Sequence, residues 1–82
     1  MTSSGTVKLR KIFDMLDKCL PGHTKVEKTH HWWITSDDKI YTSFPSGEHG
    51  KKNPEIEKGH IRHMVRFFEI EDCAKGELEI LR

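Results

Sequence analysis

The sequence has few of the features that mark exported or membrane-bound proteins. It contains two cysteines, Cys19 and Cys73, which lack Cys-x-x-Cys or zinc-site spacing and are too few to staple a small secreted domain. Its first residues lack the apolar core of a signal peptide, and no apolar run approaches the roughly 20 residues that span a bilayer. We therefore expect a cytoplasmic protein without membrane contact, whose cysteines remain reduced thiols.

Proline is also scarce, and neither sign of charge predominates. The 82 residues include six Gly and three Pro, with 34% hydrophobic and 33% charged residues, and the formal net charge is +1. This composition is typical of a lean globular chain. The length permits a single domain over 1–82, with a core from about residue 6 to 70 and an acidic tail over 71–82. Residues 1–68 are net basic, as expected of a surface that meets phosphate.

Hydrophobic spacing predicts a first helix over residues 6–20. Five apolar residues recur at helical spacing and define one stripe. They are Leu9, Ile12, Phe13, Leu16 and Leu20. The helix must end at "LPGH", since Pro21 cannot continue it and Gly22 tolerates the left-handed turn that often follows a helix.

Three β-rich runs follow the first helix. "TKVEK", "HHWWIT" and "IYTSF" predict short antiparallel strands, with "SDDK" as a hairpin connection. In the third strand, alternation places Ile40, Thr42 and Phe44 on one face and Tyr41 and Ser43 on the other. The stretch after it, over 45–59, has the Pro, Gly and Lys content of a basic loop.

A second helix is predicted from His60 to Glu69. Its inward residues are Ile61, Met64, Val65 and Phe68. Beyond it, Asp72 is expected to cap a short C-terminal helix that carries Leu78 and Leu81. The order α-β-β-β-α predicts an α+β two-layer sandwich, with two helices on one face of a three-stranded antiparallel sheet. Double-stranded-RNA-binding domains share this layout.

Four stretches, taken together in order, carry a family resemblance. "VKLRKIFDMLDKCLPG", "KTHHWWI", "YTSFP" and "KGHIRHMVRFF" cover most of residues 6–70. In this order they resemble the HicA toxin family. The resemblance implies an mRNA-cleaving endoribonuclease paired with a cognate antitoxin protein, with one essential histidine that falls on His30 by position. Lys28 replaces the family glycine, Thr29 replaces its serine, and "PSG" replaces its Pro-x-His.

The chemistry of metal-free RNA cleavage points to the same region. A base must take the 2′-hydroxyl proton, and histidine suits this task because its reference pKa is about 6.5. Cations must stabilise charge on the phosphate, and Lys28, Lys58 and Arg62 are the candidates. His31 is the alternative base, since neighbouring residues of a strand face opposite sides. His60 is a further candidate RNA contact.

We expect no metal and no other cofactor. His60 and His63 stand three apart on one helix face, but no third ligand is specified at matching spacing. The plain alternative for this pair is a solvated basic face, or a helix cap in the case of His60. Trp32 and Trp33 must also split between the two faces of a strand, so that one is packed and the other is available to stack on a base.

Three functions are therefore compatible with the sequence. The first is a ribonuclease toxin of HicA type, with RNA and an antitoxin as partners. The second is a non-catalytic RNA-binding module with the same fold. The third is a protein-interaction domain that uses the exposed aromatic face or the acidic tail.

Overall fold

The computed structural model describes residues 5–47 and 50–82 and has an α+β fold. The elements are β1 (Thr6–Lys8), α1 (Leu9–Cys19), β2 (Thr24–Glu27), β3 (His31–Ser36), β4 (Lys39–Pro45), β5 (Glu55–Glu57), α2 (Lys58–Phe67), α3 (Glu71–Glu77) and a 3-10 turn (Glu79–Leu81). Strands β2, β3 and β4 form an antiparallel sheet in that order, and β1 pairs with β5 in a second sheet. The α+β class and the three-stranded sheet are confirmed. The predicted α-β-β-β-α order omitted β1 and β5. In the described part of the chain, each helix is too short or too polar to cross a bilayer.

The β1–β5 ladder fixes the starts of both long helices. The Leu9 N–H, at the start of α1, donates to the Pro54 carbonyl at 2.8 Å. The Lys58 N–H, at the start of α2, donates to the Gly5 carbonyl at 2.6 Å. The first N–H groups of a helix have no acceptor within it. The carbonyl just before β5 therefore accepts from the first N–H of α1, and the carbonyl just before β1 accepts from the first N–H of α2.

Side chains around this ladder complete the start of α1. Asn53 Oδ1 accepts a hydrogen bond from the Arg10 N–H at 2.8 Å, whereas Lys8, at the N-cap position, makes no side-chain cap. The Thr6 hydroxyl donates to Glu55 at 2.6 Å, and the Lys8 ammonium lies 3.6 Å from the same carboxylate. The Thr6 hydrogen bond, followed by the Lys8 charge, lowers the pKa of Glu55. Residues 6–8 are thus extended, and the prediction that the first helix begins at Thr6 is wrong.

One cluster of buried side chains joins the helices to the packed face of the sheet. Its members are Leu9, Ile12, Met15, Leu16, Ile34, Tyr41, Phe44, Ile56, Ile61, Met64, Val65, Phe68, Ala74, Leu78 and Leu81. The inward residues predicted for the second helix are confirmed. Ala74, Leu78 and Leu81 belong to this cluster, so the core extends beyond residue 70 and the acidic segment 71–82 packs against it. Ile70 occupies the N-cap position of α3, without a side-chain cap, and the predicted cap by Asp72 is also wrong.

A bulge in β4 changes which of its residues face the core. Trp32 pairs with Phe44 and Ile34 pairs with Tyr41, so two residues of β4 lie opposite one residue of β3. A bulge of this kind breaks the period-2 alternation of a strand. Tyr41 and Phe44 are consequently both buried, and Ile40 is 51% exposed. The alternation predicted for this strand is wrong for that reason.

Polar contacts orient α2 along β4. The Tyr41 hydroxyl lies 2.7 Å from His63 Nδ1. The Lys39 ammonium donates to the Phe67 carbonyl at 3.1 Å and to Glu69 at 3.0 Å. Burial raises the pKa of Tyr41. The C-terminal half of α2 therefore lies beside the start of β4, and its N-terminus points toward the end of that strand.

A disulfide bond joins the end of α1 to the first turn of α3. Cys19 and Cys73 are bonded, with a Cα–Cα distance of 5.6 Å and a sequence separation of 54. The expectation of two reduced thiols is therefore wrong. Two cysteines so far apart in sequence carry no spacing signal, because their approach depends on how α3 docks against α1. Closing a long loop lowers the entropy of the unfolded chain and so stabilises the fold.

We expect reduction of this bond to lower the free energy of unfolding by about 2–4 kcal/mol. The measurement is urea unfolding followed by circular dichroism, with and without dithiothreitol. A variant carrying both Cys19→Ser and Cys73→Ser is the control, and its stability should not respond to the reductant. An oxidised wild type whose unfolding midpoint is also unmoved by reductant would contradict this expectation.

Gly47, just after β4, permits a close approach between two loop segments. Its φ is 84°, in the left-handed region, and a Cβ built there would lie 2.3 Å from the ring of Pro54. Pro54 is the residue whose carbonyl accepts from Leu9 at the start of α1. A side chain at residue 47 would thus displace the segment that caps this helix.

Gly47→Ala should cost more stability than Gly50→Ala, which is its matched control. Gly50 also has a left-handed φ, 87°, but a Cβ there meets nothing within 4 Å. Backbone strain alone should cost about 1 kcal/mol at Gly50, and the clash with Pro54 should add roughly 1–3 kcal/mol at Gly47. Thermal and urea unfolding of both variants measure the difference. Equal losses would mean that contact with Pro54 is unimportant.

Candidate nucleic-acid interface

The turn between β2 and β3 presents His30 to solvent. The Lys28 N–H donates to the His31 carbonyl at 2.7 Å, which leaves Thr29 and His30 at the tip. The His30 carbonyl accepts a hydrogen bond from the Ser46 N–H at 3.2 Å, just past the end of β4. All four residues of the turn are exposed. The backbone is thus held on two sides while the imidazole is open to a ligand.

An open groove of about 830 Å³ lies beside this turn. Three lysines line it: Lys28 from the turn, and Lys51 and Lys52 from the loop before β5. One carboxylate, Glu27, lies in the same wall. The lining therefore carries more positive than negative charge, and lysine ammonium groups in a concave surface attract phosphate.

Hydroxyl and aromatic groups complete the groove. Thr29 and Ser46 bring side-chain hydroxyls, which are common hydrogen-bonding partners of nucleic-acid phosphates. Trp32 also lines the groove, and its ring packs edge-on against Phe13 with centroids 5.0 Å apart. Its Nε1 is buried without a hydrogen-bond partner among the described residues. Trp32 is therefore a packing residue that separates the groove from the core.

Trp33 lies on the opposite, open face of the sheet. It is 41% exposed, and the Lys28 ammonium lies 5.0 Å from its ring centroid. Val26, directly across on β2, is 54% exposed. His31 is on the same side, because it is two residues from Trp33 along the strand. The expected split of the two tryptophans is thus resolved, with Trp32 toward the core and Trp33 outward.

The cations that sequence reasoning assigned to RNA do not all lie near His30. Lys28 adjoins it in the turn. Lys58 is half-buried at the start of α2, and His60 is exposed in the first turn of that helix. Arg62 lines a different groove, between α2 and α3. Over residues 5–47 and 50–82, no hydrogen bond, ion pair or ring contact joins His30 to Lys58, His60 or Arg62.

Sequence reasoning missed the residues that do border the turn. It treated Lys51 and Lys52 only as part of a basic loop and gave no role to Ser46. The signal for the two lysines was their adjacency in "GKKN", but their location depends on the return of the chain to β5. His49, the histidine nearest the family's Pro-x-His position, lies outside the described residues.

Neither a metal site nor a known relative assigns a function to these residues. Within the described ranges, no group of three His, Cys, Asp or Glu side chains is placed to hold a metal ion. His63, the partner of His60 in the predicted pair, instead contacts the Tyr41 hydroxyl. No family model, no curated protein and no solved structure matches the chain. The resemblance to HicA toxins therefore rests on the motifs quoted from the sequence.

The buried indole N–H of Trp32 gives a stability prediction. Trp32→Phe should change the free energy of unfolding by no more than about 1 kcal/mol, because it keeps a ring against Phe13 and removes a donor that has no acceptor. Trp32→Ala should cost about 3 kcal/mol, because it leaves a cavity. Urea unfolding followed by circular dichroism gives both values. A Phe variant as unstable as the Ala variant would show that the indole N–H has a partner in solution.

Proposed function

We propose that this protein is a metal-independent endoribonuclease of HicA type, an mRNA-cleaving toxin that uses His30 as its catalytic base. The observation that carries the proposal is the position of His30, exposed at the tip of a turn whose preceding residues, Lys28 and Thr29, line a lysine-rich groove. The sheet and helices are compatible with the two-layer, double-stranded-RNA-binding-domain-like sandwich that the resemblance implies. His31, Lys58, His60 and Arg62 remain candidate RNA contacts outside this centre.

In the proposed reaction, the neutral imidazole of His30 takes the proton of a ribose 2′-hydroxyl. The 2′-oxygen attacks the adjacent phosphorus, and the bond to the 5′-oxygen of the next nucleotide breaks. The products are a 2′,3′-cyclic phosphate and a 5′-hydroxyl, whose proton comes from the imidazolium or from water. Lys28, Lys51 and Lys52 supply positive charge where the phosphate gains negative charge in the transition state. No metal or other cofactor takes part in this scheme.

The partner implied by the resemblance is a cognate antitoxin protein. We propose that it covers the β2–β3 turn and the groove, since blocking His30 would stop cleavage. The proposed mRNA substrate of the nuclease would place the enzyme in the cytoplasm. A cytoplasmic enzyme would meet a reducing environment, in which disulfides are rare, and the Cys19–Cys73 bond would then depend on the redox state of the cell.

Two other functions use the same surfaces. A non-catalytic RNA-binding module would need the lysine groove but no base. It is favoured because, among the described residues, no second acid-base group contacts His30. A protein-interaction domain would use the exposed apolar side chains Val26, Trp33 and Ile40 on the open sheet face. Both are distinguished from the nuclease by the same experiment.

His30→Ala should lower the rate of RNA cleavage by about 100-fold or more, which is the usual contribution of a general base. The assay is end-labelled mRNA at low salt with EDTA, resolved on a gel. His63→Ala is the matched control, because it removes an exposed imidazole of α2 that has no proposed role in RNA cleavage and should retain most of the activity. Circular dichroism of both variants verifies that each is folded.

Three results would overturn the nuclease proposal. One is a folded His30→Ala variant that cleaves at the wild-type rate, and another is cleavage that EDTA abolishes. The third is a wild type that never shortens RNA. If that wild type binds RNA in a salt-dependent manner, the RNA-binding module is correct. If it binds no RNA, a protein partner is the remaining function.

A further inference from the structure

We propose that the open sheet face around Trp33 is a base-stacking site, and that the substrate of the His30 centre is therefore single-stranded RNA. This inference rests on the proposed function and adds to it the class of nucleic acid. It differs from the expectation that the fold analogy gives, since double-stranded-RNA-binding domains read the shape of a duplex.

Trp33 is held by a rigid part of the sheet. Trp33 lies on β3, which is the central strand and is paired on both sides. Trp33 is 41% exposed, although the opposite face of the same strand carries Ile34, which is fully buried. A large ring that is held by a packed strand keeps its orientation, so only the Lys28 side chain above it must move for another ring to stack.

Lys28 connects this ring to the groove. Its ammonium lies over the Trp33 ring, 5.0 Å from the ring centroid, and the same residue lines the groove beside the β2–β3 turn. A base that stacks on Trp33 would take the place of this ammonium on the ring face, and Lys28 would then be free to contact the phosphate of the same nucleotide. Stacking on an aromatic ring combined with a nearby positive charge is the usual basis of single-strand binding.

The charges on this face favour nucleic acid over a protein partner. The outward positions of β2 and β3, and the exposed β4 residue that pairs with Thr35, carry no carboxylate. They are Thr24, Val26, His31, Trp33, Thr35 and Ile40. Thr35 pairs with Thr24 on one side and Ile40 on the other, and it lies two residues beyond Trp33 on the same face of β3. The apolar surface is thus interrupted by hydroxyl groups, and the Lys28 ammonium lies over its aromatic ring, Trp33.

The stacking residue Trp33 lies close to His30, the proposed general base. His30 and Trp33 are three residues apart, which is at most about 10 Å along an extended chain. One strand of RNA can therefore contact both. The bases of a duplex are already stacked and paired, so only an unpaired base can lie against Trp33. This requirement selects single strands.

The test uses DNA probes, which lack the 2′-hydroxyl and so cannot be cleaved by this mechanism. Fluorescence anisotropy at low salt compares a short labelled oligodeoxythymidylate with an abasic oligomer of the same length and phosphate number. Wild type should bind the base-containing strand about 5- to 150-fold more tightly, as expected for one stacked base. Trp33→Ala should lose this preference while retaining the salt-dependent binding of both probes.

Ile40→Ala is the matched control, since it removes an exposed apolar side chain from the same face and should keep the preference. Trp33→Phe, with a smaller ring, should keep part of it. Circular dichroism and urea unfolding verify the fold of each variant. A hairpin duplex of deoxyadenylate and deoxythymidylate should bind wild type no more tightly than the abasic oligomer.

Several outcomes would overturn the stacking site. They are equal binding of the two single strands by wild type, a preference that survives in folded Trp33→Ala, or a duplex that binds as tightly as the single strand. Binding to neither strand would also overturn it and would leave the face to a protein partner. These failures are distinct from failure of the nuclease, because a protein that stacks bases but never cleaves RNA would overturn only the role of His30.

Discussion

The ladder between β1 and β5 determines where both long helices begin. Each of these three-residue strands continues directly into a helix, and the first N–H of each helix donates to a carbonyl beside the other strand. The starts of α1 and α2 are therefore fixed relative to each other. The loop after β4 must return through Asn53 and Pro54 to complete the arrangement, and this return brings Lys51 and Lys52 to the β2–β3 turn.

The three-stranded sheet gives the candidate site its two sides. The period-2 alternation of β3 turns Trp32 toward the core and Trp33 toward solvent, and the bulge in β4 lets Tyr41 and Phe44 both pack against the helices. The β2–β3 turn stands where these two sides meet. It therefore gives Lys28 access both to the groove and to the open face.

Local sequence patterns were sufficient for the parts of the fold whose signal is periodic. The apolar stripes of α1 and α2 and the β-rich runs predicted the main elements, and Ile61 and Val65 face inward as expected. Strands β1 and β5 were missed because three residues have too little periodicity. The alternation in β4 failed because a bulge depends on its partner strand, and the disulfide was missed because it depends on the docking of α3.

The residues of the candidate site likewise fall into those that local sequence could identify and those whose position depends on the fold. His30 and Lys28 could be identified because they are neighbours in sequence at a hairpin. Lys51 and Lys52 could not, because a loop residue is positioned by where its chain returns. Arg62 was grouped with His30 from its place near a helix start, yet it lines the groove toward α3. Helical rotation, which places neighbouring residues about 100° apart, accounts for the error.

The disulfide encloses most of the molecule within one covalent loop. Cys19 and Cys73 lie on either side of the whole three-stranded sheet, β5 and α2 in sequence. A protease that cuts the chain between β4 and β5 would therefore leave both pieces linked. The nicked protein would migrate as a single species until a reducing agent separates the fragments.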